Sequence, residues 1–374
     1  MKLKIVHALV DQKFLDGAIS LYETDNRVEN TYVFVGKKTE PKYLKYSDVY
    51  YVDQDNALEF LNKFDVVIVH SLRAIPMNIL KDIRQGVKVV WYGWGFDIYE
   101  SPFDFVPIPL YGSETKKNTR YIRFRSFIGK NKVKKRFYLK THFNSILKRI
   151  DYFSGVFPYE IDLIKERHPQ FNAQPLDFYY GAKDFFIPEE PSMEIRHNKK
   201  NIIIGNSANM TGNHLDVIKA ISSVNIDKEA KLIIPLSYGG LSTYINQVEK
   251  AAEEIAPGQV VSLRNYLPLN DYLDLISNCK TAIFAHERQQ ASDNIFMQLL
   301  YGARVYMSET SSAFVYLRSI GLKVYSLQSD LDLFNEEMSD EDVFSNREIL
   351  SSLYSSSKLI ERVKEINTIL IDSK

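Results

Sequence analysis

Short apolar runs alternate with amphipathic stretches along most of this chain, and this alternation constrains the fold more than any other feature. Continuous apolar runs of four to eight residues between polar turns are typical of strands buried in a parallel sheet. The amphipathic stretches between them have the spacing of helices that cover such a sheet. The sequence therefore predicts an α/β protein of the doubly wound, Rossmann-like type.

Two series of these units follow one another. The first series has predicted strands at 4–10, 31–35, 49–52, 65–70 and 88–92, and predicted helices at 16–23 and 57–63. The second series has predicted strands at 201–205, 231–236, 259–263, 281–285, 304–307 and 323–326, and predicted helices at 213–224, 242–255 and 269–278.

A proline-containing, charged segment without periodicity separates the two series and is typical of an interdomain linker. We therefore expect one domain over residues 1–187, a linker over 188–200 and a second domain over 201–345. The pattern of the last segment, 346–374, is helical, and we expect it to pack back on the first domain.

Composition excludes several classes of protein. The single cysteine, Cys279, allows neither an intramolecular disulfide nor a cysteine-based zinc site, which fits a reducing cytosol. Lys+Arg and Asp+Glu balance at 47 each, which argues against nucleic acid as a partner. The sequence shows no signal-peptide pattern and no apolar run of about 18 residues. We expect a cytoplasmic protein whose membrane contact is peripheral.

Residues 115–149 form a basic strip, with 13 Lys or Arg residues and no Asp or Glu. Aromatic and aliphatic residues are interleaved with the charges. Anionic lipid headgroups attract such clusters, while the rings partition into the interface. The strip predicts an anionic membrane surface as partner on the inner face of the cell membrane. The alternatives are a solvated helical face or mobile loop, and single-stranded RNA as the partner.

Two loops of the second domain have the residues of an anion site. The first follows a strand and contains Gly205, Asn206, Ser207 and Asn213, which relax the backbone, donate hydrogen bonds or cap a helix. An ordinary capped turn is the alternative. No Gly-Lys-Ser/Thr follows, so this is not a P-loop of the Walker type.

The second loop follows the strand at 281–285. Arg288 could neutralise a departing diphosphate without a metal, and Gln289 and Gln290 could bind sugar hydroxyls. We expect Ser292, Asp293 or Asn294 to cap the next helix. Loops at the carboxyl ends of strands are where open α/β sheets bind ligands, which favours a donor site over a plain surface loop.

The segment 91–100 of the first domain holds both tryptophans and two carboxylates. We expect Trp94 and Tyr99 to contact an acceptor sugar, and Asp97, Glu100 or His70 to orient or deprotonate its hydroxyl. A tryptophan pair in the core is the alternative. A nearby Asp-x-Asp, at 53–55, has the spacing of a metal site but is better explained as a helix cap.

Together these segments resemble glycosyltransferase family 56. The resemblance rests on Trp91-Tyr-Gly-Trp-Gly-Phe-Asp-Ile-Tyr-Glu100, on Gly205-Asn-Ser207 with Asn213-His214, on Ile234-Pro235 with Tyr238, on Tyr272-Leu273 and Cys279, and on Arg288-Gln-Gln290 with Gly302. It implies the GT-B fold, with two Rossmann-like domains facing a cleft and the nucleotide in the second. It also implies that Tyr238 belongs to the donor site, and that the reaction needs neither a metal nor another cofactor.

The resemblance further implies a dTDP-linked sugar of the N-acetylated deoxy type as donor and a polyprenyl-diphosphate-linked saccharide as acceptor. In this interpretation Arg123 and Arg125 of the basic strip bind the acceptor. Glu287, Asp293 and Asn294 are also expected to bind the donor, but they depart from the family pattern, which leaves the transferred sugar open. The alternatives are a nucleotide-sugar epimerase or hydrolase of the same fold, and a non-catalytic protein that binds glycan or lipid.

Overall fold

The computed structural model of the chain describes residues 2–100, 105–120, 142–178, 180–181, 187–191 and 193–374. The chain divides into two compact units. By chain position, the first unit comprises residues 1–107, 127–187 and 354–374, and the second comprises 108–126 and 188–353. Three separate segments of the sequence therefore build the first unit.

Each unit contains one parallel sheet. The strands, in chain order, are β1 (Leu3–Ala8), β2 (Val28–Val35), β3 (Tyr50–Val52), β4 (Val66–Val69), β5 (Lys88–Gly93), β6 (Tyr152–Gly155), β7 (Gln174–Pro175), β8 (Asn201–Ile204), β9 (Leu232–Pro235), β10 (Val260–Leu263), β11 (Cys279–Phe284), β12 (Arg304–Met307) and β13 (Tyr325–Ser326). The first unit holds β1 to β7 and the second holds β8 to β13.

Helices connect these strands. Within the described residues they are α1 (Leu15–Tyr22), α2 (Gln54–Leu61), α3 (Met77–Leu80), α4 (Gly95–Ile98), α5 (Ser113–Asn118), α6 (142–149), α7 (Glu160–Arg167), α8 (His214–Ile221), α9 (Ser242–Ile255), α10 (Leu269–Ser277), α11 (Ser292–Leu300), α12 (Ser312–Ser319), α13 (Asp340–Tyr354) and α14 (Ser356–Asp372). None of these described helices combines the length and apolarity that a membrane span requires.

The strand order of the first sheet is β3-β2-β1-β4-β5-β6-β7. All four residues of β4 are buried, and three of them are valines, which suit a strand covered on both faces. The chain builds outward from β1 in one direction and from β4 in the other. The order therefore reverses between β1 and β4, which is the switch point of a doubly wound sheet.

The C-terminal helix α14 packs on the first unit. The buried Asp25 pairs with Arg27 at 2.6 Å and accepts a 3.0 Å hydrogen bond from Asn367 Nδ2. Arg27 also donates to Thr368 Oγ1 at 2.9 Å and to the Lys364 carbonyl at 2.7 Å. The polar side chains that follow α1 thus form hydrogen bonds with α14. The C-terminal helix is therefore part of the first unit.

The second sheet has the order β10-β9-β8-β11-β12-β13, with all strand pairs parallel. Helix α9 buries one apolar face. In α9 the buried residues Tyr244, Val248 and Ala252 recur every four positions, which places them on one face of the helix. They join a core cluster with Ile204 and Ile234 of the central strands.

Residues 108–126 group with the second unit, whereas the sequence-based division placed them in the first domain. The carboxylate of Asp216 accepts 2.9 Å hydrogen bonds from the backbone N–H groups of Glu114 and Thr115, at the start of α5. Gly112 N donates to Asn213 Oδ1 at 3.0 Å. This attachment depends on a capping interaction about 100 residues away in sequence, which local patterns do not show.

The expected α/β class with two parallel sheets is confirmed. Most predicted elements are found within a few residues of their predicted bounds, and β12 and α9 have the predicted bounds. The sequence analysis did not identify β6, β7, the helices α3 to α7, or α12. Strand β6 contains Ser154 and Gly155, and the short β7 contains Pro175, so neither has the apolar run that marks the other strands.

Candidate active site

The carboxyl ends of β8 and β11 are neighbours in the second sheet, at the point where the strand order reverses. Ligands bind at such points in open α/β sheets because the loops on either side run in opposite directions and leave a crevice. The loop after β8 contains Asn206, and the loop after β11 is residues 285–291. The two loops assigned to the donor from sequence therefore begin on adjacent strands.

Asn206 links the two loops. Its Nδ2 donates to the hydroxyl of Tyr238 at 3.2 Å, and its Oδ1 accepts from Gln290 Nε2 at 3.4 Å. Gln290 Oε1 accepts a 2.8 Å hydrogen bond from the Thr211 hydroxyl. Asn206, Tyr238 and Gln290 are all half-buried. They form a polar network at the switch point whose amides and hydroxyls can exchange partners for phosphate or sugar oxygens.

Close packing shapes the loop after β8. Gly205 has a φ of +69°, and a Cβ there would lie 2.8 Å from His214 Nε2, so only glycine fits. Asn213 has a φ of 52° and its side chain makes no capping hydrogen bond to α8. Its Nδ2 donates instead to the Ala285 carbonyl at 2.8 Å, joining the two loops. Of the roles expected for Asn213, donation is therefore observed and capping is not. Ser207 of the same loop is also buried.

Arg288 is a buried positive charge in the loop after β11, with 6% of its surface exposed. Its Nη1 donates a 2.6 Å hydrogen bond to the Gln289 carbonyl. Burial, followed by the charge of Arg288, holds the pKa of His286 well below its usual value. A guanidinium at this position interacts strongly with an anion because little water screens it.

Neighbouring polar residues are tied to the strands and helices beside this loop. Glu287 accepts hydrogen bonds from Ser308 Oγ at 2.9 Å and Thr310 Oγ1 at 2.7 Å, in the loop after β12. Asn294 Oδ1 accepts one of 2.5 Å from the Tyr272 hydroxyl. The carboxylate of Glu287 is thus held at the next strand along the sheet.

The start of α11 differs from the expectation. Ala291, with a φ of 64°, occupies the capping position, and no side chain caps the helix. The Ser292 hydroxyl accepts instead from Gln289 Nε2 at 2.8 Å. Asp293 and Asn294 lie inside the first turn. The expected cap by one of these three residues is therefore wrong, because the chain turns through a left-handed residue before the polar run begins. Asp293 still complements the positive end of the helix dipole.

A buried hydrogen-bonded chain lies near the switch point of the first unit. His7 Nδ1 is 3.0 Å from His70 Nε2, and His70 Nδ1 is 2.6 Å from the Tyr180 hydroxyl. His7 Nε2 is 3.2 Å from Asn30 Oδ1. Burial lowers the pKa of His7 to about 4 and that of His70 well below its usual value, so both rings are neutral.

The direction of this chain follows from its end. Asn30 Nδ2 donates to the carbonyl of Tyr22 at 3.2 Å, so its Oδ1 is an acceptor facing His7. His7 therefore donates from Nε2 and accepts at Nδ1, His70 donates from Nε2, and Tyr180 donates to His70 Nδ1. Both nitrogens of His70 are engaged in this chain.

Asp97 is fully buried in α4, beside the end of β4. Ser71 Oγ donates to its Oδ1 at 2.8 Å, and Arg73 Nε lies 3.8 Å from the same oxygen. Its Oδ2 has no hydrogen-bond partner among the described residues. Burial raises the pKa of Asp97 to about 7, although Ser71 and Arg73 act in the opposite direction. A carboxyl with this pKa can accept and release a proton near neutral pH.

The other acceptor residues expected from sequence differ in exposure. Trp94 is half-buried and stacks on Phe14, with ring centroids 3.8 Å apart, and meets Tyr180 edge-on at 5.1 Å. Glu100 is half-buried. Tyr99 is 2% exposed, which is typical of a core ring rather than of a sugar platform. Trp91 is also buried, so only one of the two tryptophans has exposed surface. Arg123 and Arg125 lie outside the described residues.

Sequence reasoning missed several residues of these two sites. Ser71 and Arg73 follow His70 directly, so the strand end itself was a signal for them. Thr211 lies inside the loop singled out after β8. Tyr180 gave no local signal, because its contact with His70 joins residues 110 positions apart.

Metal ligands are not clustered in the part of the chain that the structure describes, where no group of three His, Cys, Asp or Glu side chains is placed to hold an ion. The Asp-x-Asp sequence is explained by helix α2. The side chain of Asp53 accepts from the backbone N–H groups of Asp55 and Asn56 and caps the helix, as the sequence analysis favoured.

Solved structures of low sequence identity share this fold. A glycosyltransferase from Rickettsia africae is 13% identical with a TM-score of 0.66, and all of both chains is covered. The lipopolysaccharide outer core galactosyltransferase WaaB is 12% identical with a TM-score of 0.61, covering 100% of this chain and 99% of its own. Anabaena Alr3699/HepE, solved with UDP and glucose, is 10% identical with a TM-score of 0.62, covering 98% of this chain and 100% of its own.

Two doubly wound parallel sheets, each with polar loops at its switch point, define a protein of the GT-B glycosyltransferase fold. A sequence model described as 4-alpha-L-fucosyltransferase glycosyl transferase group 56 matches residues 133–333, which is more than half of the chain. The chain belongs to this family, and it is a glycosyltransferase. The expected family and enzyme class are thereby confirmed.

Proposed function

We propose that the chain transfers an N-acetylated deoxysugar from a dTDP-linked donor to a polyprenyl-diphosphate-linked saccharide, without a metal ion. The observation that carries this proposal is the polar network of Asn206, Gln290 and Thr211 at the second unit's switch point, beside the buried guanidinium of Arg288. The network offers hydrogen-bond donors, and Arg288 offers charge. A sugar-linked diphosphate needs both.

The donor diphosphate is assigned to the second unit. Asn206, Ser207 and the loop of residues 285–291 supply amide and hydroxyl donors, and Gln289 with Gln290 supplies groups that suit sugar hydroxyls. As the bond between the anomeric carbon and the diphosphate breaks, negative charge grows on the leaving oxygen. Arg288 stabilises that charge, which is the role a divalent metal has in other transferases.

Activation of the acceptor is assigned to Asp97 of the first unit. Three candidates came from the sequence, and their contacts differ. Both nitrogens of His70 are engaged with His7 and Tyr180. Asp97 has an oxygen without a partner among the described residues and a pKa of about 7. Asp97 therefore takes the proton of the acceptor hydroxyl, whose oxygen then attacks the anomeric carbon. The half-buried Glu100 and Trp94 contact the acceptor sugar.

A lipid-linked acceptor and the inner face of the cell membrane are supported by the sequence of the basic strip, residues 115–149. Its charges fit a diphosphate headgroup and anionic lipids, and Arg123 and Arg125 are assigned to the acceptor diphosphate. The fold relative WaaB is named as an enzyme of lipopolysaccharide, which is itself lipid-linked. Co-sedimentation with vesicles containing anionic lipid tests this part, with a variant neutralised at Arg123 and Arg125 as the control.

The donor nucleotide is tested by a thermal-shift screen of the intact protein against dTDP, UDP and GDP. We expect the largest rise in Tm with dTDP, because only ligands that bind the folded state stabilise it. A larger rise with UDP, the nucleotide bound in the Anabaena relative, would contradict the dTDP assignment but keep the diphosphate site. No rise with any of the three would contradict the site.

The chemical step is tested by incubating the protein with the donor in the presence and absence of a polyprenyl-diphosphate saccharide. Transfer should require the acceptor. Release of free sugar or a change of its configuration at the same rate without acceptor would favour the hydrolase or epimerase alternative instead.

A further inference from the structure

Two tyrosine rings form a parallel stack in the second unit. The ring centroids of Tyr238 and Tyr266 are 5.7 Å apart, and the ring planes differ by 5°. Tyr238 follows β9 and Tyr266 follows β10, so the stack lies at the carboxyl edge of the sheet. Tyr266 is 56% exposed, which is unusual for a large ring already packed on another. An exposed flat ring of this kind is suited to a planar ligand.

The stack is fixed to the loop after β8. The Tyr238 carbonyl accepts a 2.8 Å hydrogen bond from Ala208 N, and its hydroxyl accepts from Asn206. Gly240 lies so close to this loop that a Cβ would be 2.4 Å from the Ala208 carbonyl oxygen. Backbone contacts therefore fix the position of Tyr238 relative to the polar network, and the ring of Tyr266 stacks on the ring of Tyr238.

We propose that the ring of Tyr266, backed by Tyr238, is the stacking platform for the nucleobase of the sugar donor. This inference rests on the proposed function, since it assumes that a nucleoside diphosphate binds the second unit. Spacing supports it. From β10 to β11 there are three strand intervals, or about 14 Å, which is comparable with the span of an extended nucleoside diphosphate. A base on Tyr266 places the diphosphate toward Asn206 and the loop of residues 285–291.

The surroundings of the stack favour a base over a phosphate group. The nearest basic residue in sequence, Arg264, has its guanidinium bound to Glu249 and Asn246. The exposed neighbours of the rings in sequence include two leucines, Leu241 at 55% and Leu267 at 39% exposed, and the uncharged Asn265. A nucleobase brings two π faces and little charge, which suits this surface. Because every base has such a face, the platform strengthens binding without selecting among bases.

The test is isothermal titration of the full chain with dTDP, UDP and GDP. Tyr266→Ala should weaken binding of each nucleotide roughly tenfold, the scale found when a stacking ring is removed. Tyr266→Leu, which keeps apolar area but no ring, should weaken it similarly, and Tyr266→Phe should bind like the wild type. Tyr50→Ala is the matched control, because Tyr50 is 54% exposed but lies in β3 of the first unit. It should bind like the wild type.

Two results would overturn the platform while leaving the proposed function intact. These are unchanged nucleotide affinity in Tyr266→Ala and full affinity in Tyr266→Leu. If the unchanged nucleotide Kd of Tyr266→Ala came with a higher KM for the acceptor, the ring would belong to a sugar of the acceptor. A wild-type protein that binds none of the three nucleotides would instead overturn the proposed function, and the platform with it.

Discussion

The Ser71 hydroxyl donates a hydrogen bond to one oxygen of Asp97, and the other oxygen has no hydrogen-bond partner among the described residues. A buried carboxyl that the protein orients through one oxygen can still accept a hydrogen bond from a substrate at the other. The pKa of Asp97, raised to about 7 by burial, means that ionisation occurs in the neutral range. The pair thus combines a fixed orientation with a proton affinity suited to a general base.

Replacing Asp97 tests its role as the base. Asp97→Asn should lower kcat/KM at least about 100-fold at pH 8, because the amide cannot accept the proton. In the wild type, kcat/KM should rise with pH through about 7 as the carboxyl ionises, and this limb should be absent in the variant. Measurement is by pH–rate profiles at low donor concentration. If kcat/KM of Asp97→Asn still rose with pH through about 7, another group would be the one that takes the proton.

Ser71→Ala is the complementary variant. The hydroxyl lowers the pKa of Asp97, so its removal should raise that pKa and move the rising limb to higher pH. At pH values above the limb, kcat/KM should return toward the wild-type value. If kcat/KM were lower by the same factor at all pH values, Ser71 would position Asp97 without changing its pKa.

Arg288 should be needed for turnover more than for folding. Arg288→Ala should lower kcat at least about 100-fold, the scale of losing one preorganised charge partner for the leaving diphosphate. Arg288→Lys keeps the charge but not the planar fork, so it should recover only part of the rate. Steady-state kinetics measures this, with circular dichroism as the folding control. Near-normal activity in Arg288→Ala would remove the guanidinium from the mechanism.

The ion pair under α14 should contribute to stability in a pH-dependent way. Asp25→Asn should lower the free energy of unfolding by about 1–2 kcal/mol at pH 7, because the amide loses the charged hydrogen bonds to Arg27. Those bonds hold the pKa of Asp25 at about 2, below the unfolded value of 3.8. The contribution is therefore fully present above about pH 4 and disappears as the pH falls toward 2.

Urea unfolding of the wild type and of Asp25→Asn at pH 7 and pH 3 measures this difference. The control is Lys63→Ala, which breaks the exposed pair with Glu59 and should change stability by less than about 0.5 kcal/mol. If the difference in free energy of unfolding between the wild type and Asp25→Asn were the same at both pH values, the charge of the carboxylate would not contribute to stability.

Buried neutral histidines should make the first unit sensitive to mild acid. His7 has a pKa of about 4 in the folded state and 6.5 when unfolded, so the unfolded chain binds the extra proton between these values. Stability should consequently fall as the pH drops from about 6.5 to 4, by up to about 1.4 kcal/mol per pH unit for each such histidine. His7→Gln should reduce this slope in thermal melts. An unchanged slope in His7→Gln would mean that another group takes up the proton.

The sequence was sufficient for features that depend on local pattern. Strand β12 and helix α9 were predicted at their observed bounds, since a buried four-residue run and a face repeating every four residues are set by neighbouring residues alone. The loops at strand ends were predicted correctly for the same reason. The start of α11 was not predicted, because alanine gives no indication in the sequence that Ala291 adopts a left-handed backbone conformation.

Contacts that join distant segments could not be read from the pattern. The bond between Ser71 and Asp97 depends on which strands are adjacent, and the chain of His7, His70 and Tyr180 joins three separate segments of the sequence. The attachment of 108–126 through Asp216 has the same origin. Residue types indicated the candidates for acid and base, and their hydrogen-bond partners distinguished Asp97 from His70.

The three-segment construction of the first unit has a consequence for synthesis in the cell. Helix α14 supplies Asn367 to the buried Asp25, so this unit lacks a structural element until residues 356–372 have left the ribosome. All segments of the second unit emerge earlier. The first unit, most of which is encoded before the second, is therefore completed after it. A premature stop codon just after residue 354 would remove α14 from the first unit, while every segment of the second unit would still be translated.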